Sequence, residues 1–452
     1  MQPLSSPHLA ARFAETLPPL RPGEALVEAN RCLYCYDAPC TRACPTGIDV
    51  ASFIKKIATG NLAGSARVIL ESNILGASCA RVCPVDELCA GACVRNDVDR
   101  PIDIGRLQRH AVDHVLERDI RLFTPGPANG RRVAVVGAGP AGLACAAALA
   151  LAGCGVTVFD RQETPGGLAA YGIIPLREPM AVIRAEIRMI AEMGVEFRQG
   201  AAVGLDIAPA DLLAAYDAVF LAVGAGARVA APPLPGSELE GVVDALDFIV
   251  AARTRPLDAV PVGRRVVVIG GGNTAMDALT LAHRLGAEKV TCLYRRTVAE
   301  MTAYPAEYAF VKAEEVEFRW TTAPLRFIAS DDGRLAGVAC ARVVLAEPDA
   351  SGRRWPLVDA GDRFVVEADM AILATGQARE PDLFTALGLD HEGGRALVDP
   401  LSYATSRQGV FAGGDCVSTG ADLTVVAAVE QGKRAARAML DYLHISHDGA
   451  SL

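Results

Sequence analysis

The sequence has no excess of positive charge, because its 44 Lys and Arg residues are outnumbered by 53 Asp and Glu residues, for a formal net charge of −9. Nucleic acids and anionic membranes attract basic proteins, so we expect neither as a main partner. Residues 1–20 also lack the basic and then apolar segments of a secretory signal. A cytoplasmic protein is therefore expected.

Apolar runs of membrane-spanning length and redox-active cysteine pairs are missing as well. The most apolar stretch, 133–159, is interrupted by glycines, so no membrane-spanning helix is predicted. No two cysteines beyond residue 126 form a C-x-x-C pair, which argues against a redox-active disulfide there. The seven histidines are scattered, and none is assigned a role.

Cysteine is abundant at one place: eight of the 13 cysteines lie within residues 32–93. Without export, disulfides are not expected, so clustered thiols indicate a metal site. Zinc usually takes paired C-x2-4-C knuckles. Three close cysteines and a fourth before proline are instead typical of [4Fe–4S] ligation, in which the fourth can bind the other cluster. The two runs are Cys32, Cys35, Cys40 and Cys44, and Cys79, Cys83, Cys89 and Cys93.

The segment around these cysteines has helical periodicity over 50–57, 62–71 and 104–116. A Thr-Pro-Gly-Pro linker follows at 124–127. We therefore predict a small α-helical domain, residues 1–126, built around two [4Fe–4S] clusters.

A dinucleotide-binding fingerprint follows the linker, over residues 133–160. A strand, three glycines, an Ala/Leu-rich helix, a second strand and an aspartate occur in this order. The glycines let backbone N–H groups approach a pyrophosphate at a helix N-terminus, and the acid can accept hydrogen bonds from a ribose 2′-OH. The predicted FAD contacts are Gly137, Gly139, Pro140, Ala141, Gly142 and Asp160, then Gly166, Gly167 and Leu168, where the backbone can pass close to the flavin.

A second fingerprint lies between two buried-strand patterns, 217–223 and 369–375, which mark the insertion of a second domain into the first. Its second strand, 290–294, is followed by two arginines rather than an acid, and arginine suits a 2′-phosphate. The alternative is that both arginines lie solvated on the surface. The predicted NADPH (or NADH) contacts are Gly270, Gly272, Asn273, Thr274, Ala275, Arg295 and Arg296, and Gly376 follows the last strand as a further cofactor contact.

The chain then returns to the first nucleotide domain. Residues 410–415 resemble the signature in which an aspartate holds the FAD ribityl chain, which assigns Gly414 and Asp415 to FAD. The helical pattern at 427–432 is expected to face the isoalloxazine ring. The predicted fold is α/β, with two nested Rossmann-like domains preceded by the α-helical iron–sulfur domain. The predicted domains are 1–126 (iron–sulfur), 127–230 with 371–452 (FAD), and 231–370 (NAD(P)H).

The cysteine segment resembles a known family. The runs RCLYCYDAPCTRACP, CARVCPVDELCAGAC and PIDIGRLQR are similar to the N-terminal domain of dihydropyrimidine dehydrogenases and, more loosely, to the small subunit of glutamate synthase. Spacing alone would make Cys79 the eighth ligand and Gln108 a polar helix residue, whereas the resemblance implies that Cys79 only packs. It implies a first cluster on Cys32, Cys35, Cys40 and Gln108, and a second on Cys44, Cys83, Cys89 and Cys93.

The resemblance covers the electron-input half of that enzyme, without a second flavin barrel. It implies a subunit that oxidises NAD(P)H at FAD and passes electrons through the clusters to an FMN/iron–sulfur catalytic subunit, which reduces uracil and thymine to 5,6-dihydropyrimidines. No catalytic residue is assigned. The alternatives are a glutamate synthase small subunit that feeds a large glutamine-processing partner, and a non-catalytic scaffold that keeps the nucleotide folds for packing.

Overall fold

The structure is a computed structural model that describes residues 6–226, 234–349, 354–379, 381–420 and 423–446. It divides into two compact units. The larger unit comprises Glu15–Ala170, Arg177–Gly226 and Arg379–Leu452, and the smaller comprises Met1–Ala14, Tyr171–Leu176 and Ala227–Ala378.

The first 120 residues form short helices, as their periodicity predicts. Apolar residues three or four positions apart give each longer helix one buried face. Asp49 and Asn61 accept hydrogen bonds from the backbone N–H groups of Ser52 and Gly64, which caps two of the helices. The helices are α1 (Ser6–Arg12), α2 (Pro22–Asn30), α3 (Pro39–Arg42), α4 (Val50–Ala58), α5 (Leu62–Ser72), α6 (Gly76–Val82) and α7 (Ile104–Leu116).

The larger unit also holds a five-stranded parallel sheet. Its apolar strands have helices on both faces, which explains why they read as continuous hydrophobic runs. Its elements are β1 (Arg132–Val136), α8 (Pro140–Leu151), β2 (Gly155–Phe159), α9 (Leu168–Tyr171), α10 (Met180–Ala191), β3 (Glu196–Arg198), α11 (Pro209–Ala215) and β4 (Ala218–Leu221).

The smaller unit holds a second parallel sheet and a three-stranded antiparallel sheet. Its elements are β5 (Val242–Asp244), α12 (Ala245–Thr254), β6 (Arg265–Ile269), α13 (Asn273–Leu285), β7 (Lys289–Leu293), α14 (Pro305–Ala313), β8 (Glu317–Arg319), β9 (Thr322–Ala329), β10 (Leu335–Pro348), β11 (Arg354–Glu367) and β12 (Met370–Leu373).

The end of the chain completes the first sheet. With β15 (Val410–Ala412), the strand order of that sheet is β3-β2-β1-β4-β15. The strand order of the second sheet is β8-β7-β6-β12-β5. The first matches the 3-2-1-4-5 order of a Rossmann-type sheet, and the second matches its 3-2-1-4 part, with an edge strand, β5, that precedes the fingerprint in the chain. The predicted α/β fold, with two such sheets after a helical segment, is confirmed. The remaining elements are α15 (Asp382–Ala386), β13 (His391–Glu392), β14 (Arg395–Ala396), β15 (Val410–Ala412) and α16 (Val425–Tyr442).

The second sheet extends past the boundary predicted at 370/371. Met370–Leu373 pairs with Val266–Ile269, so this strand belongs with the second fingerprint and not with the returning FAD segment. The other predicted boundary of the insert, 230/231, lies outside the described residues.

Helix α8 is buried along almost its whole length, and its partner in the larger unit is α16. The two helices approach closely at a glycine, because a Cβ at Gly432 would lie 2.1 Å from the carbonyl oxygen of Ala141. An all-round apolar helix such as α8 therefore needs no membrane, since a second helix and the sheet cover it.

Candidate functional site

The first cysteine cavity lies between α3, α4 and the loop that follows Cys32. Helix α4 contributes Val50 and Ile54 to its walls. Tyr34 and Ala38 in the loop have positive φ angles of 51° and 28°, so the loop is held in a conformation that side chains disfavour. The four cysteines that line this cavity are Cys32, Cys35, Cys40 and Cys93.

The second cysteine cavity lies beside α6 and α7. The amide of Gln108, on α7, is held by a 2.7 Å hydrogen bond from its Nε2 to the carbonyl oxygen of Gly76. Gln108 is only 7% exposed, and no hydrogen bond in the described residues uses its Oε1. The possible ligands that line this cavity are Cys44, Cys79, Cys83, Cys89 and Gln108.

The chemistry of these thiols suits iron–sulfur clusters. Burial raises the pKa of Cys40 to about 11 and that of Cys89 to about 12. The pKa of Cys83 is raised well above its usual range, first by a hydrogen bond to Cys79 and then by burial. All thirteen cysteines are free thiols. Partly buried thiolates need a cation to stabilise them, which is what cluster iron supplies.

The cysteines of each group line a cavity and do not converge on one point. In the described ranges, no group of three or more His, Cys, Asp or Glu side chains is placed to hold a single metal ion.

The glycine turn before α8 has no room for side chains. Gly137 has φ +105°, and a Cβ there would lie 2.2 Å from the carbonyl oxygen of Ala222. A Cβ at Gly167 would lie 2.7 Å from the Cα of Gly139, at the start of α8. Bare backbone therefore meets bare backbone at a helix N-terminus, next to Pro140, Ala141 and Gly142, and the partial positive charge of that N-terminus favours a bound pyrophosphate.

Asp160 follows β2 and its carboxylate is held by the backbone. One oxygen accepts a 2.6 Å hydrogen bond from the N–H of Ala138, and the other accepts a 2.8 Å bond from the N–H of Gln162. Burial raises the pKa of Asp160, and both hydrogen bonds oppose that change. The carboxylate thus lies beside the glycine turn, where a ribose hydroxyl of FAD is expected.

The segment after β15 brings together residues that the sequence did not single out. The N–H of Gly414 donates to the Oε1 of Gln431 on α16, over 2.7 Å. Arg379 donates to the carbonyl oxygen of Asp415, over 3.2 Å. Burial raises the pKa of the Asp415 carboxyl, while the charges of Arg379 and Arg395 lower it. Only the 427–432 helical pattern pointed toward Gln431, and nothing in the sequence pointed toward the two arginines.

The second glycine turn follows β6 in the smaller unit. A Cβ at Gly270 would lie 2.3 Å from the carbonyl oxygen of Ala374, and Gly272 is the residue before α13. The Oδ1 of Asn273 accepts a hydrogen bond from the N–H of Tyr304, over 2.9 Å. Thr274 and Ala275 lie in the first turn of α13, and Gly376 has φ +118° beyond β12.

The two predicted arginines differ in exposure. Arg295 is exposed, whereas Arg296 is 8% exposed. The Nε and Nη2 atoms of Arg296 are buried without a hydrogen-bond partner in the described part of the chain. A buried guanidinium with free donors needs an anion, and a 2′-phosphate can accept from both nitrogens. The surface alternative therefore describes Arg295 but not Arg296.

Known proteins match both parts of this arrangement. Residues 9–120 match the family described as dihydropyrimidine dehydrogenase domain II, 4Fe-4S cluster, and residues 131–432 match the pyridine nucleotide-disulphide oxidoreductases. The chain belongs to the pyridine nucleotide-disulphide oxidoreductases. With its iron–sulfur segment, it is an NAD(P)H-dependent flavin and iron–sulfur oxidoreductase.

Relatives of this oxidoreductase have several names. It is 37% identical to the glutamate synthase [NADPH] small chain of Halomonas elongata, over 96% of this chain and 94% of that one. It is 36% identical to the NAD-dependent dihydropyrimidine dehydrogenase subunit PreT of Salmonella typhimurium, over 95% and 97%. The putative oxidoreductase UacF of Escherichia coli is 37% identical, over 97% of this chain and 70% of UacF.

Two solved structures share the fold of the oxidoreductase. Mycobacterium tuberculosis FprA in complex with NADPH superposes with a TM-score of 0.57 at 20% identity, over 72% of this chain and 87% of FprA. Thioredoxin reductase from Lactococcus lactis superposes with a TM-score of 0.53 at 20% identity, over 70% and 99%. In the described residues, no helix is both long and apolar enough to cross a membrane.

In this oxidoreductase, the two cysteine cavities group two of the predicted cluster ligands differently from the prediction. Gln108 was expected with the first cluster and Cys93 with the second, but Cys93 lines the first cavity and Gln108 the second. Each run of cysteines thus contributes its fourth member to the cavity of the other run: Cys93 lines the first cavity and Cys44 lines the second. The cause is the path of the chain, because α7 lies against α6 at the second cavity.

Proposed function

We propose that this chain is an electron-input subunit. It oxidises NADPH at a bound FAD and passes the electrons through two [4Fe–4S] clusters to a separate FMN/iron–sulfur subunit, which reduces uracil and thymine to 5,6-dihydropyrimidines. The order has a physical reason, since a flavin accepts two electrons as hydride and can release them singly, whereas each cluster accepts one.

One observation carries this proposal: Val426, in the first turn of α16, lines the second cysteine cavity together with Cys44 and Cys89. Helix α16 also packs on α8, whose N-terminus is the candidate pyrophosphate site, and Gln431 on α16 holds the backbone of Gly414. The flavin-binding elements and a cluster cavity therefore share a wall.

The proposal assigns the following residues to each cofactor. FAD contacts Gly137, Gly139, Pro140, Ala141, Gly142, Asp160, Gly166, Gly167, Leu168, Gly414 and Asp415. NADPH contacts Gly270, Gly272, Asn273, Thr274, Ala275 and Arg296. The first cluster is held by Cys32, Cys35, Cys40 and Cys93, and the second by Cys44, Cys83, Cys89 and Gln108.

The choice of Gln108 over Cys79 as a ligand can be tested directly. Both side chains line the second cavity. The Oε1 of Gln108 is left without a hydrogen bond, whereas the thiol of Cys79 forms a hydrogen bond with Cys83. We expect Gln108→Ala to lose about half of the iron per chain and Cys79→Ala to keep all of it. The opposite result, measured by anaerobic iron and sulfide analysis, would make all eight ligands cysteines.

The partner decides between the two named relatives. Gln108 in the second cavity supports the pyrimidine partner, since a glutamine ligand is the feature that the resemblance implies for that family. The second candidate is the glutamate synthase small chain, which the identity to the Halomonas elongata protein favours.

Mixing the purified chain with each type of partner tests the proposal. With a dihydropyrimidine dehydrogenase catalytic subunit, we expect NADPH oxidation that depends on uracil. With a glutamate synthase large chain, we expect no oxidation that depends on glutamine. The reverse pattern establishes the second candidate, and uracil reduction by this chain alone contradicts both.

A further inference from the structure

Helix α16 carries a buried lysine on the side of the iron–sulfur segment. Lys433 is 6% exposed and follows Gly432, the residue at which α16 touches α8. Its Nζ donates to the carbonyl oxygen of Ser72 over 2.6 Å and to that of Thr46 over 3.3 Å. Nζ also forms an ion pair with Glu430 at 3.3 Å. An ammonium group has three donors, and each of them has an acceptor here.

These acceptors lie next to the second cavity. Ser72 is the last residue of α5, and Thr46 is two residues after Cys44. The hydroxyl of Thr46 is 3.3 Å from the Sγ of Cys44. Lys433 therefore brings its charge close to a cysteine that lines the second cavity, and Val426 on the same helix forms part of the wall of that cavity.

The charge of Lys433 is not cancelled by its carboxylate. Glu430 is shared between Lys433 and Arg434, which it meets at 3.3 Å and 2.9 Å, so the three groups carry one net positive charge. Burial lowers the pKa of Lys433, and Glu430 opposes that change. A buried charge is also poorly screened by salt, unlike the charges of surface residues.

We propose that Lys433 is an electrostatic positioning residue for the second cluster. Its charge raises the reduction potential of that cluster and holds the cluster beside α16. Each electron that enters a cluster adds one negative charge, so a nearby ammonium stabilises the reduced form more than the oxidised form. The lysine thus favours electron flow from the flavin side onto the second cluster. The inference rests on the proposed two-cluster function but not on the identity of the coenzyme or the partner.

A redox titration of the full chain tests this role. The chain is reduced anaerobically with dithionite and mediators, without NAD(P)H or partner, and both cluster signals are followed by EPR. Cys32→Ser, which removes a ligand of the first cavity only, assigns the two signals. At a fixed potential, we expect Lys433→Met to lower the reduced-to-oxidised ratio of the second cluster about tenfold, equal to about 59 mV for one electron. The first cluster should keep its potential.

Three further variants separate charge from packing. Lys433→Arg, which keeps the charge, should restore the wild-type potential. Arg434→Met removes the second cation that shares Glu430, so it should lower the potential of the second cluster by less than Lys433→Met does, because Arg434 is half-exposed and solvent screens its charge. Lys433→Gln keeps a donor without charge and should behave like Lys433→Met, so it carries the test if Lys433→Met fails to assemble.

Wild-type potentials in Lys433→Gln, or equal shifts of both clusters, would overturn the proposal. A wild-type chain without iron and sulfide would instead contradict the two-cluster function itself.

Discussion

The two Rossmann-type sheets share the 3-2-1-4 strand arrangement and a glycine-rich turn after the first fingerprint strand, but their second fingerprint strands are followed by side chains of opposite charge. After β2, the carboxylate of Asp160 already accepts two backbone hydrogen bonds. After β7, the guanidinium of Arg296 is buried with free donors. In the proposed function, the turn recognises what the two dinucleotides share, and the residue after the second strand recognises what distinguishes them.

The two sheets also differ at the third position of the glycine turn. The first has Gly142, where a Cβ would lie 1.9 Å from the carbonyl oxygen of Gly137, and the second has a buried alanine, Ala275. The same helix start thus tolerates a methyl group in one sheet and excludes it in the other.

The largest effect is expected from Gly142→Ala, which gives the first turn the pattern of the second. The clash with Gly137 must displace the turn or the start of α8, so we predict that the purified variant binds almost no FAD. Flavin absorbance per chain measures this. The matched variant Ala275→Gly should keep its FAD and lose only about 1 kcal/mol of helix stability. Full flavin content in Gly142→Ala would show that the turn adapts.

The next effect concerns Arg296. Losing a charge-assisted bond costs about 1.5–3 kcal/mol, so Arg296→Ala should lower kcat/KM for NADPH roughly 10- to 150-fold and leave that for NADH unchanged. Dye reduction with both coenzymes measures the ratio. Arg295→Ala, at the exposed neighbour, should change the ratio of kcat/KM for NADPH to that for NADH by about fivefold at most. A wild-type chain that prefers NADH would remove the phosphate role of Arg296.

A smaller effect is expected from Asp160→Asn. The amide keeps one acceptor oxygen and loses the other, so FAD affinity should fall about tenfold, or about 1.4 kcal/mol. Titration of the FAD-free chain with flavin measures this. Asp217 offers a control, because its carboxylate also accepts a hydrogen bond from a backbone N–H, that of Arg132. Asp217 lies beside the start of β1, whereas Asp160 lies at the end of β2. Equal losses in Asp160→Asn and Asp217→Asn would indicate a general loss of stability.

Regular periodicity made much of the fold predictable. The helical pattern at 104–116 predicted the helix Ile104–Leu116, and the strand expected at 290–294 is observed at Lys289–Leu293. The apolar residues of the helix recur at the helical period, whereas the strand is a short apolar run that is buried on both faces, so both patterns are visible in the sequence.

Other features depend on contacts that the sequence does not encode locally. Gln108 was expected with the first cluster but lines the second cavity, because α7 packs on α6 there. Cys93 was expected with the second cluster but lines the first cavity. Arg295 and Arg296 are adjacent residues of the same type, so the sequence does not distinguish them. The structure shows that Arg296 is buried and Arg295 is exposed. Lys433 reads as a polar helix residue, since its acceptors at Thr46 and Ser72 lie more than 350 residues earlier in the chain.

Cofactor analysis of the purified chain under anaerobic conditions tests the central claim most directly. One FAD site and two cubane clusters predict one flavin, roughly eight iron atoms and roughly eight labile sulfides per chain. Stoichiometric zinc without labile sulfide would contradict the cluster assignment, and absence of flavin would contradict the assignment of the first sheet.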